Sequence, residues 1–145
     1  MINVKRAAVV LCITVLVSAC YSTAKAPITV TDLQHHNWQV IAIDGTPLSP
    51  DVDNRLPNIE FGENFTVNGF SGCNSFFGQG ELMDNKLRVA NMGQTRKMCI
   101  PNEMDTEQAI TSTLVDWSHI EWSEKDITLK GKQHTLTLKL RDWVN

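Results

Sequence analysis

The 145 residues include only one Tyr, five Pro and 7% aromatic residues, and the 20% that are charged nearly cancel to a net −3. Charge of one sign does not dominate, so counterion release from a polyphosphate has no clustered Lys and Arg to drive it, and nucleic acid is not an expected partner. With few Pro and eight Gly, the chain is no collagen or linker, and 42% hydrophobic residues are enough to exclude long disordered tracts. No stretch approaches the roughly 20 apolar residues that a bilayer-spanning helix needs. CxxC and HxxxH pairs, a P-loop and GxGxxG are all missing. What is left is the composition of one compact domain.

Several patterns come close to catalytic or metal motifs and fall short. Gly69-Phe70-Ser71-Gly72-Cys73 resembles a nucleophile elbow, but Cys stands where the last Gly belongs and no strand-to-helix turn follows. Asp51-x-Asp53 begins like a calcium loop, yet Arg55 takes the third ligand position and Leu56 the place of the Gly. His35 and His36 are adjacent, so they point about 100° apart on a helix or to opposite faces of a strand and cannot readily chelate one metal. Cys73 with His119 or His134 remains conceivable as a thiol enzyme, since distance in sequence does not forbid contact. No cofactor and no metal is expected, and the expectation is a protein that is not an enzyme.

The N-terminus carries an address. Lys5 and Arg6 precede an apolar run from Ala7 to Val17 interrupted only by Thr14, the pattern of a secretory signal over residues 1–19. It ends in Val17-Ser18-Ala19-Cys20, which resembles the bacterial lipobox. That resemblance implies acylation of Cys20, a membrane anchor made of lipid, and a short tether over residues 20–28; plain secretory cleavage after Ala19 is the alternative. Tyr21 stands where inner-membrane lipoproteins usually carry Asp, which favours the outer membrane, facing the periplasm. Removing the signal takes away Lys5 and Arg6 but no acid, moving the net charge from −3 to −5. Cys73 and Cys99 are then the remaining thiols, and in an oxidising periplasm they are expected to form a disulfide; two buried thiols or a metal site are the alternatives.

Along the domain, Thr29 or Thr31 can cap a brief helical turn through Asp32-Leu33-Gln34. A strand at Trp38–Ile43 follows, then Asp44-Gly45 as a turn and the longest loop, from Pro47 to Pro57. Ile59 and Phe61 and then Phe65 and Val67 read as a hairpin across Gly62-Glu63-Asn64. Gly69, Gly72, Gly78 and Gly80 mark bulges or tight curvature around Phe70, Phe76 and Phe77. Leu87 and Val89, and then Met92–Thr95, predict two short strands. One helix is predicted to start at an Asn102 cap, with Ile110, Leu114 and Trp117 as its inner stripe. Ile120–Trp122, Ile127–Leu129 and Leu136–Leu140 predict a meander. The expected fold is therefore α+β, mainly β: a curved antiparallel sheet or partial β-barrel of about eight short strands with one main helix packed against it.

Gly72-Cys73-Asn74, an aromatic at Phe76 or Phe77, Gly78, the segment Thr95-Arg96-Lys97-Met98-Cys99 and an acidic helix led by Met104 together resemble the META domain family over residues 29–145. The resemblance implies a curved sheet or partial barrel plus helix, similar to a secretion pilotin. It also implies an envelope protein of the heat and stress response, associated with novobiocin tolerance and without an established enzymatic activity. The chain departs from many relatives in having Phe76 and Phe77 where they carry a Tyr.

Two features stay open to more than one reading. Trp38, Trp117, Trp122 and Trp143 line a ligand cavity or, for Trp38, Trp117 and Trp122 by their apolar periodicity, belong to the core. Arg88, Arg96 and Lys97 meet an acidic partner or lipid head group, or form a solvated face. The expected function is binding of an unidentified envelope protein or hydrophobic ligand, with a carrier of amphipathic molecules as the alternative; a cavity open to solvent would favour the carrier and a filled barrel the scaffold.

Overall fold

The computed structural model describes residues 26–141, so the signal 1–19, Cys20, most of the tether and Trp143 lie outside the described residues. Among the described residues no helix is long and apolar enough to cross a membrane.

Among the described residues, alternating apolar and polar residues build nine strands: β1 His36–Ile43, β2 Thr46–Pro47, β3 Asn58–Phe61, β4 Thr66–Phe70, β5 Ser75–Met83, β6 Lys86–Gln94, β7 Ser118–Trp122, β8 Asp126–Lys130 and β9 Thr135–Leu140. All pairings are antiparallel, and β1 pairs with both β3 and β9, so eight strands close on themselves while β2 lies beside the end of β1. The barrel is thus closed rather than partial. Closure satisfies the backbone groups that an open edge would expose.

Among the described residues two α-helices complete the fold, α1 Val30–Leu33 and α2 Pro101–Val115. In front of α1 the Asp32 carboxylate accepts hydrogen bonds from the Thr29 hydroxyl at 2.6 Å and backbone N–H at 2.8 Å. Those bonds, the hydroxyl's first, hold the Asp32 carboxyl below its ordinary range. Helix α2 packs against β6 and β9, and it enters the core through Ile110 and Leu114 where β6 and β7 pair over only two residues. The inward positions of every long strand fill the barrel: Trp38, Val40, Ile59, Phe61, Val67, Phe76, Leu87, Val89, Ile120, Ile127, Leu129, Leu136 and Leu138 are all buried.

The local differences from the sequence expectations have physical causes. Phe65 lies in a 3-10 turn, Glu63–Phe65, where Asn64 and Phe65 both take positive φ. That turn swings the Phe65 ring inward to stack on Phe61 at 5.2 Å between centroids. The two strands expected at Leu87–Val89 and Met92–Thr95 are one strand, β6, carrying a bulge: Phe77 faces Gly93 and Gln79 faces Ala90, with Asn91 at φ 52°. Gly78 sits opposite that bulge, where a Cβ would come within 2.5 Å of Val89 Cγ1. The cap of α2 is Ile100, with Pro101 rather than Asn102 opening the helix, as suits a residue with no N–H to satisfy. Trp117 falls beyond the end of α2 and is only half-buried, so the inner face of the helix is Ala109, Ile110, Thr113 and Leu114 instead.

Candidate functional site

The loop between β4 and β5, Ser71–Asn74, and the segment Thr95–Ile100 that leads from β6 into α2 meet at one end of the barrel. A disulfide joins Cys73 to Cys99, with their Cα atoms 5.8 Å apart. Gly72 turns the first loop with φ 108°, and a Cβ there would stand 2.9 Å from Thr106 Cγ2 on α2, so both conformation and space require Gly.

Asn74 is the centre of this junction and is 2% exposed. Its Oδ1 accepts from Lys97 N at 2.7 Å and from the Thr95 hydroxyl at 2.8 Å. Its Nδ2 donates to Lys97 O at 3.3 Å and Glu107 Oε1 at 3.2 Å, and its backbone N–H donates to Glu107 Oε2 at 2.7 Å. The Ser71 hydroxyl lies 2.8 Å from Asn74 O and 3.0 Å from Glu107 Oε2, with one proton to share between them. One carboxamide and one carboxylate therefore tie two loops to helix α2 through hydrogen bonds in which the carboxylate carries the charge. Sequence reasoning singled out Gly72, Cys73, Asn74, Thr95, Met98 and Cys99, and the structure brings them together. It weighed Ser71 only as a nucleophile and Glu107 only as an acid on the first turn of the helix, and linked neither to this junction. The signal for Glu107 is its position three and seven residues ahead of Ile110 and Leu114, an acid in line with the buried stripe.

This bracing holds out a side-chain surface. Met98 is 90% exposed and Ile100 58%, and the side chains of Arg96 and Lys97 are exposed beside them. A cleft of about 360 Å³ separates the start of α2 from the long loop after β2, with Ile100 and Thr106 on one wall and Leu48 and Val52 on the other. The loop itself is closed by Asp51, whose Oδ1 accepts from Asp53 N at 2.9 Å and Arg55 N at 2.8 Å, while Oδ2 takes Arg55 Nη2 at 2.9 Å. A guanidinium thus occupies the place that a cation would take in a calcium loop.

Arg88 does not join Arg96 and Lys97. Its Nε contacts Glu81 Oε2 at 2.6 Å and its guanidinium lies 4.6 Å over the Trp117 ring, six residues along β6 from Gln94, about 20 Å of strand. Trp38 is core, Trp122 packs partly buried against it, and Trp117 supports Arg88 on the barrel wall. Cys73 is held in its disulfide, His134 Nδ1 sits 2.7 Å from Asp44 Oδ2, and His119 is on the exposed face of β7 opposite Lys86 and Lys130. No Cys–His pair is assembled among the described residues, nor do three His, Cys, Asp or Glu side chains group as metal ligands there.

The Asp44 contact carries a pH dependence. The hydrogen bond with His134, and then that from Thr135 N at 2.8 Å, hold the Asp44 carboxyl below its ordinary value. A carboxyl depressed on folding contributes stability above its unfolded pKa, about 3.9, and loses it as pH falls through the lower folded value. Asp44→Asn is expected to lower the neutral-pH Tm slightly and to flatten the acid limb of a Tm-against-pH profile below about pH 4. Parallel profiles for parent and variant would show that the pair adds nothing.

Comparison with known proteins places this geometry. The family model described as the META domain matches residues 31–143. The chain is 31% identical over 142 residues to the Heat shock protein HslJ of Escherichia coli (strain K12), spanning 97% of this chain and 99% of that protein. Among solved structures, an NMR structure at 32% identity covers 81% of this chain and 99% of its own, with a TM-score of 0.71. A second, of a protein from Burkholderia xenovorans, is 24% identical, covers 84% and 94% of the two chains with a TM-score of 0.63, and shares the fold.

Proposed function

The chain belongs to the META domain family, and on that premise we propose that it is a non-enzymatic stress protein of the bacterial envelope, lipid-anchored through Cys20 at the outer membrane and acting by binding. Its likeness to a protein named for heat shock supports the stress role, and tolerance of novobiocin belongs to the same reading. The observation that carries the binding mode is the contrast between a filled interior and a braced outer loop. A carrier of amphipathic molecules needs a cavity in which to bury them. Here the barrel axis is occupied by large buried side chains, Trp38, Phe61 and Leu138 among them. The side chains held outward are Met98, Ile100, Arg96 and Lys97, on a backbone tied down by Asn74 and the disulfide. An apolar tip flanked by two cations suits a partner protein with an apolar pocket and an acidic rim, because a preordered loop loses little entropy on docking.

The test combines Met98→Ser and Ile100→Ser in one variant and Arg96→Glu and Lys97→Glu in another. Exposed side chains contribute within about 0.5 kcal/mol to stability, so both variants are expected to melt like the parent. Both are expected to lose protection in a heat-survival assay of cells that depend on this protein. Full protection by correctly anchored, folded variants would overturn the loop as the binding surface.

A further inference from the structure

The outer wall of the barrel holds a second cleft of about 290 Å³, running across β1, β3 and β4 to the start of β5. Strand register sets Gln39, Asn58, Phe70 and Ser75 in one transverse row, each directly opposite the next. Their neighbours Trp38 and Ile59 fill the interior, so Gln39 and Asn58 face outward, as does Asn37 one step along β1. Asn54, from the loop after β2, faces the same cleft.

These four carboxamides are unspent. Among the described residues, the side-chain amides of Asn37, Gln39, Asn54 and Asn58 make no hydrogen bond. Asn37 is the telling one, because it is only 8% exposed and lines the cleft. Its backbone and Cβ are covered while the amide keeps solvent access through the cleft, and an amide group with both donors and an acceptor held toward a cavity is suited to a polar ligand.

The chemistry around the amides narrows that ligand. Arg55, at the edge of the cleft, is paired with Asp51 and Asp53 and lies 4.4 Å over the Phe70 ring, so it fixes the aromatic floor, while Arg141, exposed and with no acid beside it among the described residues, adds guanidinium donors to the lining. Carboxamides side by side offer donor and acceptor alternately, which matches hydroxyl groups that also do both, and Phe70 supplies an apolar surface for C–H groups. An extended peptide would need an open strand edge, and the closed barrel denies one across β1, β3, β4 and β5. We propose that this amide-lined cleft binds a saccharide, an acetamido sugar chain in particular, because the N–H and C=O of an acetamido group point in opposite directions and each can be met by a different carboxamide of the row. The site does not depend on the loop at Thr95–Ile100.

The experiment follows the side-chain amide resonances of the 15N-labelled full chain during titration with chitotetraose, the β-1,4-linked N-acetylglucosamine tetramer. Saturable shifts are expected at Asn37, Gln39, Asn54 and Asn58, with Gln133, exposed elsewhere, unmoved. Asn37→Ala removes up to two hydrogen bonds and is expected to weaken binding roughly tenfold, with Asn58→Ala, at a half-buried position, doing so to a similar degree. Gln133→Ala is expected to bind like the parent. The proposal is overturned if no amide in the cleft shifts saturably, if both Asn variants bind like the parent, or if an N-acetylated tetrapeptide shifts the same resonances as strongly as the sugar.

Discussion

Replacing Asn74 by Ala is expected to destabilise the domain by about 3 kcal/mol and to lower its Tm by on the order of 10 °C, a large loss for one polar side chain. The truncation leaves Lys97 N, the Thr95 hydroxyl and Glu107 Oε1 without the partners they have at 2.7, 2.8 and 3.2 Å. Water can reach some of these groups, which is why the cost stays below the sum of fully buried orphans. Asn74→Asp tests the chemistry as well as the space. It keeps the acceptor for Lys97 and Thr95 but turns the donor that faces Glu107 into a second anion, so at neutral pH it is expected to be at least as damaging. Pairing it with Glu107→Gln restores a donor across that contact and is expected to recover a large part of the loss. Chemical denaturation of the two single variants and the double variant measures the coupling directly. Additive effects would mean that Asn74 and Glu107 act independently, and the loop is then held by the disulfide and by the Asn74 contacts to Thr95 and Lys97, without help from the carboxylate.

How much of the fold is legible in the sequence depends on the range of the interaction. Period-2 alternation reports which face of a strand is buried, so Trp38 and Val40, Ile59 and Phe61, Ile127 and Leu129, and Leu136 and Leu138 are assigned inward by pattern alone. Closure cannot be read in the same way. It rests on β1 pairing with β9, Val40 opposite Leu138, and no local pattern distinguishes two edges that meet from two that do not. The bulge in β6 is hidden for a similar reason: Asn91 at positive φ looks like a break between strands when only its neighbours are in view. Trp117 keeps helical spacing from Leu114, but α2 stops at Val115 and the ring serves Arg88 instead. At the candidate site the local motif Gly72-Cys73-Asn74 is visible, whereas its partner Glu107, 33 residues from Asn74, becomes one only when the helix is laid across the end of the barrel. The carboxamides of the outer cleft are invisible for the plainest reason. Asn and Gln at outward strand positions are ordinary in sequence, and only register shows that Gln39 and Asn58 stand side by side.

The disulfide separates structural from chemical readings of the family motif. Cys73→Ser with Cys99→Ser removes a cross-link between residues 26 apart, and loop-closure entropy puts the loss at about 3 kcal/mol, or roughly 10 °C in Tm for a domain of this size. The loop should nevertheless stay in place below that melting point, because Lys97 N and O are still held by Asn74 and Thr95 N still donates to Ser75 O at 3.0 Å. Met98 and Ile100 would then be presented as before, and heat protection is expected to persist at every temperature at which the variant is folded and anchored. Thiol labelling of the parent, unfolded without reductant, should find both Cys blocked. A folded, anchored Ser variant without protective activity would point to thiol chemistry at Cys73 and sink the scaffold. Adding Asn74→Ala to the two Ser substitutions removes the second restraint, and protection should then fall together with loop order, which ties function to the position of the loop and not to its sulfur atoms.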